Sequence, residues 1–444
     1  MKIDISFKRI NTLAVPALIA GIAEPIISIT DTAIVGNIAF HATESLGAVA
    51  IVGTFISMLV WVFGQIRSAI SSIISQYLGA HKLDEVKTLP AQAIILVVSA
   101  SIILVVFTYP FARNIFSLYG ASDQVLEYTT DYYKIRILGF PFSLFVFAVF
   151  GTFRGLQNTY YPMVVGIFGA CMNVVLDWVL VYGIEGFIPA MNIKGAAYAS
   201  FISQVLMAVA SGYYLLKKTN ITLTIVFPFN KEIKRLIGMV LNLFVRTIAL
   251  NVALLFAVYK ATGYGKESLA AYGIGIQLWF LGAFIIDGYS SAGNILSGRI
   301  LGAKKYNTLI ALSKKLTVYA LYTGIILIII GFLLYTPIGA VFTKDPLVLT
   351  QFYDVFWIII IMQPFCAVTF IFDAIFKGMG KMRFLRNVLL FSTFFVFIPS
   401  LVVLDKLGYK LHAVWFTFFL WVLARGIPLI IKFRRTFLPL IQKS

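Results

Sequence analysis

The sequence predicts an all-α, polytopic membrane protein with twelve transmembrane helices in two six-helix lobes. Three observations predict this architecture. Of the 444 residues, 60% are hydrophobic and only 12% are charged, a balance typical of chains that are solvated by lipid rather than by water. Apolar segments long enough to span a bilayer follow one another with short loops between them. The two halves of the chain also share an internal repeat, which is typical of transporter folds.

The apolar segments are spread evenly along the chain. They begin near Thr12, Gly47, Leu89, Tyr132, Tyr161, Lys194, Leu236, Leu269, Leu316, Phe352, Leu385 and Leu411. The longest connection, 218–235, separates the sixth segment from the seventh and is predicted to be a cytoplasmic linker. The predicted domains are therefore an N-terminal lobe (1–217) that carries the cation site, this linker, and a C-terminal lobe (236–444).

A constant shift of 223 residues superposes short matching stretches of the two halves. The matched pairs are 44–46 with 267–269, 78–80 with 301–303, 141–142 with 364–365, and 153–155 with 376–378. Because six spans per repeat is an even number, both halves have the same orientation, and the pseudo-two-fold axis lies along the membrane normal. Two lobes related in this way, facing a central cavity, predict a transporter.

The net charge of +18 first indicates cytoplasmic loops that obey the positive-inside rule, and no nucleic-acid partner is expected. Most of the Lys and Arg residues fall in termini and loops that are cytoplasmic if the N-terminus is inside. Both termini are therefore expected in the cytoplasm, with the protein in the inner or plasma membrane. Cys171 and Cys366 both lie in apolar segments, so no disulfide framework is indicated.

Acidic and polar residues inside the apolar segments mark a candidate coupling-ion site, since an ionised side chain there is costly and by default functional. Asp31, Asp177 and Ser200 each lie five or six residues from the predicted outer end of a segment. At about 1.5 Å rise per residue, they share one depth. Asn173 precedes Asp177 by four residues and shares its helix face. These oxygens suit a proton or a hard cation, so Asp31, Asn173 and Asp177 are a possible Na⁺ site.

Other polar residues are candidates for the substrate cavity. Glu24 and Ser28 lie on the polar stripe of the first segment, and Gln65 lies in the second. The alternative for all of these buried groups, including the amide and hydroxyl of the ion site, is that they are hydrogen-bonded and serve only helix packing. The abundant Phe and Tyr residues would suit a cavity for flat organic cations.

A second polar group is predicted deeper in the membrane. It consists of Arg67, Arg246, Asp287, Asp373 and Arg425. Opposite charges at similar depth predict ion pairs between helices of the C-terminal lobe, which either fix helix packing or take part in gating.

Missing motifs argue against other functional classes. No Gly-x-x-x-x-Gly-Lys-[Ser/Thr] sequence is present, so an ATP-driven pump is not expected. His41, His81 and His412 are scattered without metal-ligand spacing, and neither a metal nor another cofactor is expected beyond the coupling ion.

The chain resembles the multidrug and toxic compound extrusion (MATE) family of antiporters over nearly its whole length. The most specific matches are Arg154, Gly155, Asn158, Thr159, Pro162, Asn173, Asp177, Gly183, Gly195, Ala196, Ala197, Ser203 and Gln204. The stretch 30–36 is similar to the first-helix motif of the family. Arg67, 286–288 and 373–374 are similar to its DinF (DNA-damage-inducible) branch.

The resemblance implies that Asp31, Asn173 and Asp177 form a cation site in the N-terminal lobe. It further implies that protonation or ion binding there bends the first helix and releases the substrate by alternating access. Ser200 stands where the family often has Thr, which keeps the hydroxyl group.

The sequence therefore predicts a secondary antiporter, not an enzyme, that exports organic, cationic or amphipathic compounds in exchange for H⁺ or Na⁺. Its expected partners are a small organic substrate and membrane lipids, and the chain is expected to be monomeric. One alternative is a lipid-linked precursor flippase of the same superfamily, which would need a basic cavity. Another is a polytopic membrane transferase, which would need a His or a carboxylate pair near one membrane face.

Overall fold

The computed structural model is almost entirely helical, which confirms the predicted all-α class. It describes residues 3–38, 41–221, 223–224 and 227–442, with the backbone alone at 23–26, 28–29, 42–43 and 441–442. The α-helices in this part of the chain are α1 (Phe7–Val35), α2 (Ala42–Phe63), α3 (Ile66–Gly79), α4 (Leu89–Thr108), α5 (Ala112–Leu118), α6 (Asp123–Arg136), α7 (Phe140–Gly155), α8 (Tyr160–Tyr182), α9 (Asn192–Lys218), α10 (Ile233–Gly263), α11 (Lys266–Gly302), α12 (Tyr306–Leu333), α13 (Tyr335–Phe342), α14 (Pro346–Ile361), α15 (Gln363–Gly378), α16 (Met382–Phe391), α17 (Ile398–Lys406) and α18 (Lys410–Gln442).

The predicted membrane segments all fall on helices. Within the described residues, ten helical stretches are long and apolar enough to cross a membrane, and α14 and α15, bent by 47°, together form an eleventh. The first predicted segment corresponds to α1, which is 29 residues long. At about 1.5 Å per residue such a helix is longer than the ~30 Å hydrocarbon core of a bilayer. The chain is therefore a multi-pass membrane protein.

Several of the spans consist of two helices joined at a break, which the sequence analysis did not predict. Two of these breaks have proline in the first turn of the second helix, Pro141 in α7 and Pro364 in α15. Proline lacks a backbone N–H and is accommodated best in that first turn, where the N–H has no partner within the helix. Because the two prolines are 223 residues apart, both halves of the chain break at matching positions.

The chain divides into two compact units. The N-terminal unit comprises Ile19–Tyr77 and Lys82–Ile237, and the C-terminal unit comprises Met1–Leu18, Leu78–His81 and Gly238–Ser444. The first turns of α1 thus belong to the C-terminal unit, whereas the sequence analysis assigned all of 1–217 to the N-terminal lobe. The physical reason lies at Gly288 of α11, which lets α1 approach closely. A Cβ at Gly288 would lie 2.8 Å from Leu18 Cβ and 2.9 Å from the carbonyl oxygen of Ala14.

In the N-terminal unit, α8 and α9 form a tight antiparallel hairpin. The turn begins at Gly183, whose φ of +76° is a conformation that favours glycine. Beyond the turn, a Cβ on Gly195 of α9 would lie 2.6 Å from the carbonyl carbon of Leu180. Towards the other end of the hairpin, Gly169 of α8 packs in the same way against the side chain of Met207. Small residues allow such close backbone approach in a membrane, where packing rather than hydrophobic burial holds helices together.

Candidate functional site

The structure brings the four predicted coupling-ion residues together in the N-terminal unit. The Ser200 hydroxyl donates a hydrogen bond to Asp31 Oδ2 (3.1 Å), and the Asn173 amide nitrogen donates to Ser200 Oγ (3.4 Å). The exposed fraction is 4% for Asp31, 2% for Ser200, and zero for Asn173 and Asp177. Three helices that are distant in sequence therefore meet at one buried polar site.

The α8–α9 hairpin sets the geometry of this site. Asn173 and Asp177 are one helical turn apart on α8, so both side chains leave the same face. The close approach at Gly195 fixes the distance between the two helices, and Ser200 follows five residues later on α9. Asp31 comes from α1, near its C-terminal end. The hairpin therefore provides a preformed wall, to which α1 adds one carboxyl group.

Several oxygens at this site have no hydrogen-bond donor within the described residues. They are Asp31 Oδ1, Asn173 Oδ1 and both carboxyl oxygens of Asp177. The carboxyl groups of Asp31 and Asp177 face each other within hydrogen-bonding reach. Two ionised carboxylates repel each other, and neither can donate, so this contact becomes favourable only when a proton or a cation lies between them.

The donor set fits a proton or a hard cation held by oxygen atoms. Among the described residues, no three His, Cys, Asp or Glu side chains are arranged to hold a metal ion. A cation at this site would therefore combine the carboxylates of Asp31 and Asp177 with the neutral oxygens of Asn173 and Ser200. Such a mixed shell is typical of hard cations, which accept carboxylate, carbonyl and water oxygens.

Two further residues border the site and were missed by the sequence analysis. Tyr132 of α6 is buried and interacts electrostatically with both aspartates, and Arg136, one turn later, interacts with Tyr132 and Asp177. The amide of Gln204, oriented so that both of its groups are satisfied, accepts a hydrogen bond from Arg136 and donates to the Gly139 carbonyl oxygen (3.0 Å). A guanidinium group therefore lies beside the acidic pair.

The four-residue spacing of Tyr132 and Arg136 is the signal that could have found them, since it matches the spacing of Asn173 and Asp177 on α8. The fourth membrane segment was predicted to start near Tyr132, and neither Tyr132 nor Arg136 was among the predicted site residues.

The predicted substrate-cavity residues are described only in part. The side chains of Glu24 and Ser28 lie outside the described residues, so their role stays a prediction. Gln65 lies at the break between α2 and α3, where its amide donates to the carbonyl oxygen of Trp61 (3.3 Å). That contact lies at the break, and the role of Gln65 in a substrate cavity stays a prediction.

The second predicted polar group is only partly brought together. In the C-terminal unit, Arg246 Nη2 lies 2.6 Å from Asp373 Oδ1, and Lys377 Nζ lies 3.1 Å from Asp373 Oδ2. Arg425 instead lies over the ring of Trp421, with its guanidinium carbon 4.7 Å from the ring centroid. Asp287 is exposed and interacts with Lys377 only electrostatically. Lys377 was not among the predicted residues, although its i, i+4 spacing from Asp373 is visible in the sequence.

Arg67 belongs to the N-terminal unit and takes no part in the ion pairs of the C-terminal unit. Its guanidinium carbon lies 5.6 Å from the centroid of the Phe147 ring, and its Nε has no hydrogen-bond partner among the described residues. The backbone of Arg67 also packs closely on Gly151 of α7, because a Cβ at that glycine would lie 2.7 Å from the Arg67 carbonyl oxygen. These contacts indicate a packing role for Arg67 within its own unit.

Comparison with known proteins gives consistent results along the whole chain. A sequence model of the family described as MatE matches residues 16–179 and 243–402, one stretch in each half. The chain is 24% identical to DNA damage-inducible protein F of Escherichia coli over 439 residues, which cover 97% of this chain and 92% of that protein. It is also 24% identical to the probable multidrug resistance protein NorM of Thermotoga maritima, over 84% of this chain and 80% of that protein.

Solved structures show the same fold. A crystal structure of a MATE protein in the bent conformation superposes with a TM-score of 0.89, at 19% sequence identity, and the match covers 98% of this chain and 96% of that one. At this level of identity the similarity concerns the fold alone.

Proposed function

The chain belongs to the MatE family of membrane transporters, and from this premise we propose that it is a secondary antiporter that exports organic compounds in exchange for H⁺ or Na⁺. Members of the family are transporters rather than enzymes, so the expectation that the chain is not an enzyme is confirmed, and the membrane transferase is excluded. The T. maritima relative is named as a probable multidrug resistance protein, which supports an organic, cationic or amphipathic substrate here.

The observation that carries the proposal is the buried pair of facing carboxyl groups, Asp31 and Asp177. Buried charges are stable only when they are paired or neutralised. A proton or Na⁺ that binds between them, with Asn173 and Ser200 completing the shell, removes their mutual repulsion. The site then holds α1 against the α8–α9 hairpin more tightly when the ion is bound than when it is absent.

This difference is what couples the ion to transport. A ligand shifts a conformational equilibrium only by the ratio of its affinities for the two states, and moving a population from 1:99 to 99:1 requires a ratio of about 10⁴. Loss of one charge from a buried acidic pair is large enough to contribute most of that ratio. Ion entry from outside would therefore favour the conformation that has released the substrate.

The proposal is tested by efflux from proteoliposomes loaded with a fluorescent organic cation, under an imposed Na⁺ gradient or an imposed pH gradient. We expect one gradient to accelerate efflux in the wild type and to have no effect on Asp31→Asn. Ser203→Ala is the matched control, because Ser203 is buried one turn from Ser200 and its hydroxyl has no partner within the described residues. Wild-type coupling in Asp31→Asn would refute the role of this carboxylate.

A lack of acceleration by either gradient, with several dyes and a folded protein, would instead favour the lipid-linked precursor flippase. Further proposals are a monomeric chain with lipid and substrate as its partners, and cytoplasmic N- and C-termini in the inner or plasma membrane. Reporter fusions at the two termini test this orientation, which an external location of either terminus would contradict.

A further inference from the structure

The C-terminal unit buries more positive than negative charge. Arg246 is 6% exposed, Arg425 5% and Asp373 7%, and the Lys377 side chain is 20% exposed. Arg246 on α10 and Lys377 on α15 form ion pairs with Asp373, and Arg425 on α18 interacts with Asp373 electrostatically. We refer to Arg246, Lys377 and Arg425 as the basic cluster.

Asp373 forms ion pairs with two members of this cluster. Its Oδ1 lies 2.6 Å from Arg246 Nη2, and its Oδ2 lies 3.1 Å from Lys377 Nζ. Asp287 is exposed and interacts electrostatically with Lys377. The buried set therefore carries an excess of two positive charges, and buried charge that lacks a partner is costly.

Arg425 is the member that forms no ion pair among the described residues, and it interacts with Asp373 and Arg246 only electrostatically. No ion pair or hydrogen bond holds its guanidinium within the described part of the chain. It lies over aromatic rings instead, 4.7 Å from the centroid of Trp421 and 5.8 Å from that of Phe370. Cation–π contacts hold such a group in place while its N–H donors stay available. Arg246 Nε also has no hydrogen-bond partner in the part of the chain that the structure describes. The N–H donors of Arg425 and Arg246 belong to two cations that repel each other. An anion bound there would reduce this repulsion.

We propose that the basic cluster is a binding site for a phosphate monoester group. Arg presents planar forks of donors that match phosphate oxygens, and Lys adds a point charge. A phosphate monoester carries about −1.5 to −2 charges at neutral pH, which matches the excess of two positive charges better than a carboxylate does. The exposed part of Lys377 is where the group would enter. The inference rests on the proposed transport function in one respect. If the protein is an exporter, this site would select amphiphiles that carry phosphate as its substrates.

The alternative is that the cluster only fixes helix packing, and Arg425 distinguishes the two roles. Removing a packing cation lowers the stability of the protein. Removing a cation that forms no ion pair and interacts with the neighbouring cation Arg246 relieves repulsion. This gain offsets the loss of the two cation–π contacts, so stability without ligand stays about equal. Arg425→Gln therefore leaves the Arg246–Asp373–Lys377 pairs intact and removes only the donors assigned to the ligand.

The test uses the full-length protein in phosphatidylcholine nanodiscs and measures its thermal unfolding midpoint. Inorganic phosphate is titrated in one arm, and phosphatidic acid replaces part of the lipid in the other. We expect saturable stabilisation of the wild type in at least one arm, about ten-fold weaker apparent affinity in Arg425→Gln, and retained binding in Arg425→Lys. Arg386→Gln is the matched control, because Arg386 lies on α16 of the same unit and, among the described residues, donates hydrogen bonds only to the side chain of Asn387 (2.7 and 3.0 Å).

Stabilisation by phosphatidic acid alone identifies a lipid headgroup as the source of the phosphate, and stabilisation by inorganic phosphate identifies a soluble one. The proposal is overturned if neither probe stabilises the wild type, if Arg425→Gln keeps wild-type affinity, or if Arg425→Gln lowers the midpoint without ligand. Gradient-driven efflux is measured separately. Failure of efflux with retained phosphate binding would contradict only the transport proposal.

Discussion

Replacement of Gly195 by alanine should damage the candidate ion site from a distance. Gly195 lies where α9 crosses closest to α8, and its missing side chain is what permits that approach. A Cβ there would lie 2.6 Å from the carbonyl carbon of Leu180, whereas ordinary contact begins at about 3.4 Å. Because the obstacle is backbone, it has no rotamer to change, and α9 must retreat by about 0.8 Å, the difference between these two distances.

The magnitude follows from two opposing terms. Overpacking at a rigid contact costs about 1–3 kcal/mol, and alanine gains about 1 kcal/mol over glycine inside a helix. The net loss of stability is therefore about 0–2 kcal/mol. The candidate ion site is affected more strongly than the overall stability, because Ser200 is only five residues from Gly195, about 7.5 Å along α9. The Asn173–Ser200 hydrogen bond, already long at 3.4 Å, does not survive such a retreat.

The assay combines thermal unfolding with gradient-driven efflux, and Gly212→Ala on the same helix is the matched control. A Cβ at Gly212 would meet only the ring of Phe145, at 3.6 Å, so this variant should be as stable as the wild type or slightly more stable, with normal coupling. Gly195→Ala should unfold earlier and lose coupling. If both alanine variants behaved alike, the ion site would not depend on the close α8–α9 contact, and this reasoning would be refuted.

The remaining predictions concern single polar groups. Ser200→Ala removes a hydroxyl that both accepts and donates a hydrogen bond and should weaken gradient-driven efflux, whereas Ser203→Ala should not; equal efflux in the two would contradict the shell described here. Asp373→Asn leaves the basic cluster without a counter-ion and should cost about 3–5 kcal/mol, seen as a lower unfolding midpoint in nanodiscs; an unchanged midpoint would show that the ion pairs add nothing. Asp345→Ala removes the cap of α14, whose carboxylate accepts from two backbone N–H groups (2.9 and 3.4 Å). It should cost about 1 kcal/mol and speed hydrogen exchange in the first turn of α14 only, while faster exchange throughout α14 would point to a wider role.

The sequence predicted the membrane helices well because hydrophobic segments of bilayer length have few alternatives to a helix. It did not predict where spans break, since proline also occurs in unbroken segments. Pro141 and Pro364 start new helices, whereas Pro428 lies inside α18 without ending it. Whether a proline ends a helix depends on which neighbours satisfy the freed carbonyl groups, and those neighbours come from other parts of the chain.

The sequence alone showed which residues cost free energy when they are buried in an apolar segment. These residues identified the candidate ion site. Asp31 and Asp177 could be identified without coordinates because an ionised carboxyl group in an apolar segment costs free energy, and a role in helix packing alone does not account for that cost. Their shared depth followed from helix rise. The sequence could not show that the two carboxyl groups face each other, because that depends on how α1 meets the α8–α9 hairpin.

Only the tertiary structure decided how the charges are paired. It placed Arg136 beside the acidic pair through its contact with Gln204, and it paired Asp373 with Lys377, which was not among the predicted residues. The sign of each charge and its approximate depth along its own helix can be read from the sequence. Ion pairs depend on contacts of a few ångströms between side chains, and small-residue packing between helices determines which side chains come that close.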